Sequence, residues 1–206
     1  MIVHLVGKGP GFKDAPSPAE NYDLPEHEYQ VWGVNDAPIW KHCDVLFNMH
    51  DLAHCTEQEK IVAIMCEQRH IPLYSIKKYD WLANSVEFPI QDIIEEFGVM
   101  YFSDSLCYMI AMAIYSGATT IHTWGLNLHS VTRDFRERYC VEFWLGIAIG
   151  RGIELEIHEP SALLKTNEDN QMYGYDCYFH YDNDKKDRQW GLGGLPADKI
   201  PTGELL

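Results

Sequence analysis

A short apolar run, Met1 to Val6, is cut off sharply by Gly7-Lys8-Gly9-Pro10-Gly11. A run of that length ending in a glycine and proline cluster reads as a buried strand that enters a tight loop. Such a strand needs partners, and the rest of the chain supplies them by alternation. Tyr29 to Val34, Asp44 to Met49, Pro72 to Ile76, Thr119 to Trp124 and Ile153 to Ile157 predict further strands. Helical patterns stand between them. Pro38 suits a first helical turn and predicts a short helix from Asp36 to about His42. Thr56-Glu57-Gln58-Glu59 is a capping box opening a helix that stops near Arg69. Asp92 to Phe97 is closed by Gly98, Leu106 to Tyr115 by Gly117, and Phe135 to Ile149 by Gly150 to Gly152.

Strands separated by helices predict an α/β fold: a doubly wound, mostly parallel sheet with helices on both faces. Phe12 to Glu28, with Pro16, Pro18 and Pro25, reads as loop with at most a short helical turn. From Lys165 the composition shifts to Asn, Asp, Tyr and Gly without a helical period. The expected organisation is one domain over residues 1–164 and an irregular C-terminal extension over 165–206. Within the extension, Met172 to Phe179 is an added strand and the segment from about Asn183 a weakly ordered tail. The charge run from Asp182 to Arg188 reads as a solvated segment.

Composition narrows the function classes. The 206 residues are 46 % hydrophobic, enough for one core without metal or disulfide staples. A formal charge of −15 argues against a nucleic-acid duplex as partner, since binding one needs clustered Lys and Arg. A local basic pocket for one small anion is compatible with it. The six cysteines are widely spaced, and Cys66, Cys107 and Cys140 fall in apolar helical patterns, where thiols act as small hydrophobes. A reduced, cytoplasmic setting is expected. No signal-peptide pattern or long apolar span occurs, so no membrane is expected as partner. A homodimer is the default expectation.

Candidate chemistry clusters after the strands. The glycines at positions 7, 9 and 11 let backbone N–H groups approach an anion, and Lys8 supplies charge. The spacing matches neither the P-loop nor the dinucleotide fingerprint, and the alternative is a Gly/Pro turn without a ligand. In open α/β sheets ligands sit beyond the carboxyl ends of strands where strand order reverses. Asn35-Asp36, His50-Asp51, Ser103 to Ser105 and Gly125 to Asn127 all lie at or near such ends. Asn35 and Asp36 offer groups for a base or ribose, or Asp36 caps its helix. His50 is either a pocket histidine or a surface one. Ser103 and Ser105 either donate to a phosphate or cap the next helix. Arg138 and Glu142 form an i, i+4 helix pair, or Arg138 reads phosphate together with Arg133 and Arg136. His50, Asp51 and His54, with His42, Cys43 and Cys55 nearby, lack zinc-ligand spacing, and no metal site is assigned there. No Gly-x-Ser-x-Gly elbow occurs.

Val6-Gly-Lys-Gly-Pro-Gly11, Trp32-Gly-Val-Asn-Asp36 and Asp44-Val-Leu-Phe-Asn-Met-His-Asp51 together resemble Rossmann-like proteins of two kinds. These are bacterial sialyltransferases that use CMP-sialic acid, and the archaeal 6-hydroxymethylpterin pyrophosphokinase-like family. Tyr108-Met109, Ala111, Ala113, Gly117-Ala118, Ile121-His122 and Gly125-Leu126-Asn127 extend the likeness over roughly residues 1–160. Cys140-Val-Glu-Phe-Trp144, Gly150-Arg-Gly-Ile153, Leu163-Leu-Lys165 and Tyr173-Gly-Tyr175 resemble phage-encoded proteins that bring no activity with them.

The sialyltransferase resemblance implies nucleotide phosphates near Gly7, Gly9 and Gly11, the ribose or base near Asn35, and Ser105 and Gly125 to Asn127 flanking the nucleotide. The second, lid-like region of that family, with its catalytic histidine and tyrosines, has no counterpart here. The pyrophosphokinase resemblance implies Mg²⁺ on Asn35, Asp36 and Asp51, an incomplete acidic set. Together these imply a nucleotide-binding transferase-like protein. Its expected binding residues are Gly7, Lys8, Gly9, Pro10, Gly11, Asn35, Asp51, Ser103, Ser105, Gly125, Asn127 and Arg138. His50, Asp36 and Glu142 are the candidate acid/base groups. The alternatives are a non-catalytic protein that sequesters a nucleotide or nucleotide-derived signal, and a virion or assembly component.

Overall fold

In a computed structural model, which describes residues 1–17, 29–128 and 135–165, seven strands form one sheet in which every pairing is parallel. The elements are β1 (Ile2–Val6), β2 (Tyr29–Val34), β3 (Val45–Phe47), α1 (Glu57–Gln68), β4 (Leu73–Ser75), β5 (Ser85–Glu87), α2 (Ile90–Phe97), α3 (Ser105–Tyr115), β6 (Thr120–Trp124), α4 (Phe135–Gly150) and β7 (Glu154–Ile157). Spatial order is β5-β4-β3-β2-β1-β6-β7. Strand order therefore reverses beside β1. The expected α/β, doubly wound architecture is what the chain adopts, and among the described residues the sheet is fully parallel.

Alternation along the strands divides the core between the two faces. Val3, Leu5, Trp32, Val34, Phe47 and Ile121 pack with α3 and α4, where Met109, Ile110 and Trp144 are fully buried. Val6, Val31, Leu46 and Leu73 pack with Val62, Ala63 and Cys66 of α1 on the other face. Each large buried side chain stabilises the fold by roughly 1.5–3 kcal/mol. Cys43, Cys66, Cys107 and Cys140 are buried free thiols within these two clusters, and burial pushes Cys66 up to about 12.

Local signals set the boundaries. Thr56 Oγ1 accepts from the Glu59 amide at 3.3 Å, and the Glu59 carboxylate accepts from the Thr56 amide at 2.8 Å, so the capping box forms and α1 starts there. Gly98 closes α2 in the left-handed conformation. β5 has no counterpart in the sequence reading. It is a three-residue edge strand with two exposed side chains, tied in where the Tyr79 amide donates to Ser85 Oγ. The chain divides into two units, residues 1–163 and 164–206. The expected strand at Met172 to Phe179, the tail from Asn183, the charge run from Asp182 and Arg133 all lie outside the described residues. Among the described residues no helix is long and apolar enough to cross a membrane.

Candidate functional site

The carboxyl end of β1 is where the connections part, and its two sides differ. Toward β6 the loop is closed by the protein itself. The Gly7 amide donates to Trp124 O at 2.8 Å and the Gly9 amide to Gly125 O at 2.9 Å. A Cβ on Gly7 would stand 2.5 Å from Gly125 O, and one on Gly9 only 1.6 Å from Asn127 Oδ1. Gly11 has φ 87°, and a Cβ there would meet Glu159 O at 2.7 Å. The glycines thus permit close loop packing, and the two amides expected to face an anion are used internally. Asn127 and Gly125 belong to this seal. Both polar side-chain atoms of Asn127 are buried without a hydrogen-bond partner among the described residues.

Toward β2 the same loop opens into a groove of about 400 Å³ lined by Gly7, Lys8, Phe12, Lys13, Asp36, Ala37 and Trp40. Lys8 Nζ pairs with Asp36 Oδ1 at 2.9 Å, and Asp36 Oδ2 accepts from Gln58 Nε2 at 3.4 Å. Lys13 Nζ lies 5.9 Å from the centre of the Phe12 ring. Trp40 is 65 % exposed at the end of a 3₁₀ turn spanning Ala37–Ile39. That turn is shorter than the helix expected to His42. Asp36 occupies its N-cap position without making the capping bond, because its carboxylate is turned to Lys8 and Gln58.

Asn35 and Ser105 do meet, behind the groove. Asn35 takes the left-handed conformation at φ 52°, and its Oδ1 accepts from Ser105 Oγ at 3.2 Å. Ser105 Oγ accepts in turn from the Met49 amide at 3.3 Å. The ends of β2 and β3 are thereby pinned to the start of α3. Neither serine caps that helix. Asp104 does, accepting from the Cys107 amide at 2.9 Å, and burial raises its carboxyl above the usual range. Ser103 donates to Arg136 O at 3.3 Å.

Other expected site residues stand elsewhere. His50 is exposed, with Nδ1 against the Glu59 carboxylate, so it reads as a surface partner of the capping box. Asp51 accepts from the Ala53 amide and Tyr79 hydroxyl, both at 3.0 Å, and pairs with His54 and Lys77 at 3.2 Å each. The Ala53 amide, then His54, and more weakly Tyr79 and Lys77 hold its carboxyl well below the usual range against some desolvation. Arg138 Nε donates to Glu142 at 2.8 Å and its Nη2 to Ala162 O at 2.6 Å, the helix-pair role. Glu142 and Arg138 do not line the groove, and Pro10 is exposed outside its lining. Neither Asp36 nor Asp51 joins a cluster of three ligand-type side chains among the described residues, and each is met by its own cation.

Of the residues that line the groove, Gly7, Lys8 and Asp36 are expected from the sequence, and Phe12, Lys13, Ala37 and Trp40 are not. The one signal for Trp40 was a large aromatic beside a polar turn, Trp40-Lys41-His42.

No protein-family model and no curated protein matches the chain. Among solved structures it is similar to the sialyltransferase CstII from Campylobacter jejuni in complex with the substrate analogue cytidine-5'-monophosphate. Identity there is 18 %, the TM-score 0.49, and the match covers 79 % of this chain and 81 % of that one. A structure of the same enzyme in complex with CMP-3FNeuAc gives 16 % identity and a TM-score of 0.47, covering 76 % of this chain and 79 % of that one. At such identities the likeness is one of fold and of nothing finer.

Proposed function

We propose that the groove between the ends of β1 and β2 binds a nucleotide-type anion, and that the protein is a nucleotide-binding transferase-like protein acting on an activated nucleotide such as a nucleotide-sugar. One observation carries the reading: in a chain of charge −15, Lys8 and Lys13 gather in one groove with an exposed Trp40. Ammonium groups are point-charge partners for phosphate, and an exposed indole offers a stacking face for a base. An arriving phosphate would compete with Asp36 for Lys8. The carboxylate so released is the groove's own candidate acid/base group, and the two lysines would stabilise charge developing on a leaving phosphate. His50 and Glu142 have no part in this chemistry.

Sequestration without turnover is the second reading. Among the described residues Asp36 is the one carboxylate in the groove lining, and binding without turnover needs no second acid/base group. The test is a thermal-shift screen against nucleotides, nucleotide-sugars and cyclic nucleotides, with and without Mg²⁺, followed by mass analysis of the bound compound. A ligand at about 100 times its dissociation constant stabilises by about 2.7 kcal/mol. A ligand recovered cleaved or transferred supports the transferase reading, and one recovered intact supports sequestration. If no compound shifts the melt, the groove reading fails and an assembly role takes its place.

A further inference from the structure

On the α1-side face of the sheet, β6 and β7 carry a set of side chains that the proposed function does not use. Strand alternation puts His122 and Trp124 on that face of β6, and the register pairs His122 with Glu156 of β7. His158 follows Glu156 by two and so returns to the same face. Its amide continues the ladder by donating to Thr123 O at 3.0 Å.

Three donor atoms converge there. His122 Nδ1 lies 2.8 Å from Glu156 Oε2 and 3.2 Å from His158 Nε2, and His158 Nε2 lies 3.6 Å from the same Oε2. Donors on a tetrahedral zinc ion at 2.0–2.1 Å stand about 3.3 Å apart. The three separations bracket that value. The side chains of His122, Glu156 and His158 are 13 %, 19 % and 23 % exposed, so they are largely screened from water.

With both imidazoles donating to Glu156 Oε2, one oxygen takes two N–H groups whose nitrogens stand 3.2 Å apart. A single cation at the centre meets all three lone pairs at once. The rings are also held in place beforehand. Trp124 stacks on His158 with centroids 3.4 Å apart, His4 stacks on His122 at 4.3 Å, and the Trp124 indole N–H donates to His4 Nδ1 at 3.0 Å. Partners that fix a ligand's orientation are a regular feature of metal sites.

We propose that His122, Glu156 and His158 form a binding site for one divalent cation of the zinc class, with two imidazoles and a carboxylate as protein donors and a fourth position left to water. Three protein donors plus an open position is the pattern of an exchangeable or reactive zinc, in contrast to the closed four-ligand structural site.

The test uses the full chain, free of any histidine tag and stripped of metal by a chelator. It is titrated with Zn²⁺ in competition with a chromophoric chelator, and with Co²⁺ followed by visible absorption. Expected is one ion per chain, with the intense cobalt bands of a low-coordinate N/O site. His158→Ala and Glu156→Gln should each weaken binding by about tenfold or more, whereas His42→Ala, on an exposed residue, leaves it unchanged. Glu156→Gln keeps the side-chain shape, so it guards against a variant that merely unfolds, and circular dichroism confirms its fold. Failure of the wild-type chain to take up either ion, or binding unchanged in Glu156→Gln and His158→Ala, overturns the proposal.

Discussion

The two sides of the loop after β1 serve opposite ends. On the β6 side, glycine is needed because the protein's own atoms occupy the space: Gly125 O, the Asn127 side chain and Glu159 O. On the β2 side, Lys8, Lys13, Asp36 and Trp40 leave a groove. A glycine-rich loop at a topological switch point commonly invites the reading that backbone amides face a phosphate. Here the amides of Gly7 and Gly9 are bonded to the neighbouring loop, and the charge available to an anion comes from lysine side chains. Close backbone approach and anion binding place the same demand on sequence. Only the non-local loop, which Gly9 reaches at Gly125, 116 positions on in the chain, tells them apart.

The strongest way to break this contrast is Gly7→Ala. The added Cβ meets backbone, Gly125 O at 2.5 Å, which cannot turn aside as a side chain can. Overpacking of this kind costs about 1–3 kcal/mol, and the upper part of that range is expected, read as a lowered urea midpoint with the slope unchanged. Gly9→Ala tests the same seal differently, since its nearest obstacle is the Asn127 side chain. Asn127→Ala in the same chain should restore part of the lost stability, a coupling of roughly 0.5–3 kcal/mol in a double-mutant cycle. Additive effects in that cycle would show that Asn127 is not what the Gly9 site requires.

Groove substitutions should behave in the reverse sense. Trp40 is 65 % exposed and Lys8 52 %, so Trp40→Ala and Lys8→Ala are expected to change stability by no more than about 0.5 kcal/mol. Both should weaken nucleotide binding, by about 1–3 kcal/mol for loss of the stacking indole. Lys8→Ala should in addition flatten the salt dependence of binding, because one ammonium no longer meets phosphate. Isothermal titration at two ionic strengths reads both effects. A Lys8→Ala variant that melts early yet binds normally would assign the lysine to the fold through its Asp36 pair.

What the sequence could say followed how local each cause is. Tyr29–Val34 and the Thr56 to Glu59 capping box are specified by neighbours in the chain, and they stand where their patterns put them. β5 escaped because an edge strand with exposed Val86 and Glu87 has neither an apolar run nor clean alternation. The groove was half legible. Lys8 and Asp36 flank strand ends, but Lys13 and Trp40 join them only through the path of a loop and a 3₁₀ turn. His122, Glu156 and His158 alternate with Ile121, Leu155 and Ile157 in the linear sequence, a visible period of two. What the sequence does not carry is the register that sets His122 beside Glu156. Cys66, Cys107 and Cys140 fall in apolar helical patterns that mark thiols as small hydrophobes, and each is fully buried.

The smallest expected effect concerns the boundary of the groove region, where the first turn of α1 reaches Asp36 through Gln58 and His50 through Glu59. The His50 imidazole, assisted by the Thr56 amide and hydroxyl and opposed by partial burial, holds the Glu59 carboxyl at about 2 against an ordinary value of 4.5. A depressed native value means that the unfolded chain takes up the proton first as pH falls. The stability contributed by the ionised group is therefore complete above 4.5 and is lost as pH descends toward 2. Glu59→Gln lacks this ionisation, so the wild type's advantage over it should shrink across that window and be constant above it. The gap at neutral pH should be about 1 kcal/mol, the usual worth of a helix cap, measured from urea midpoints across the acid range. A gap independent of pH would mean that neither the His50 imidazole nor the Thr56 cap holds the Glu59 carboxylate in solution. His50 would then be free to turn toward the groove, and its exclusion from the chemistry of Asp36 would have to be withdrawn.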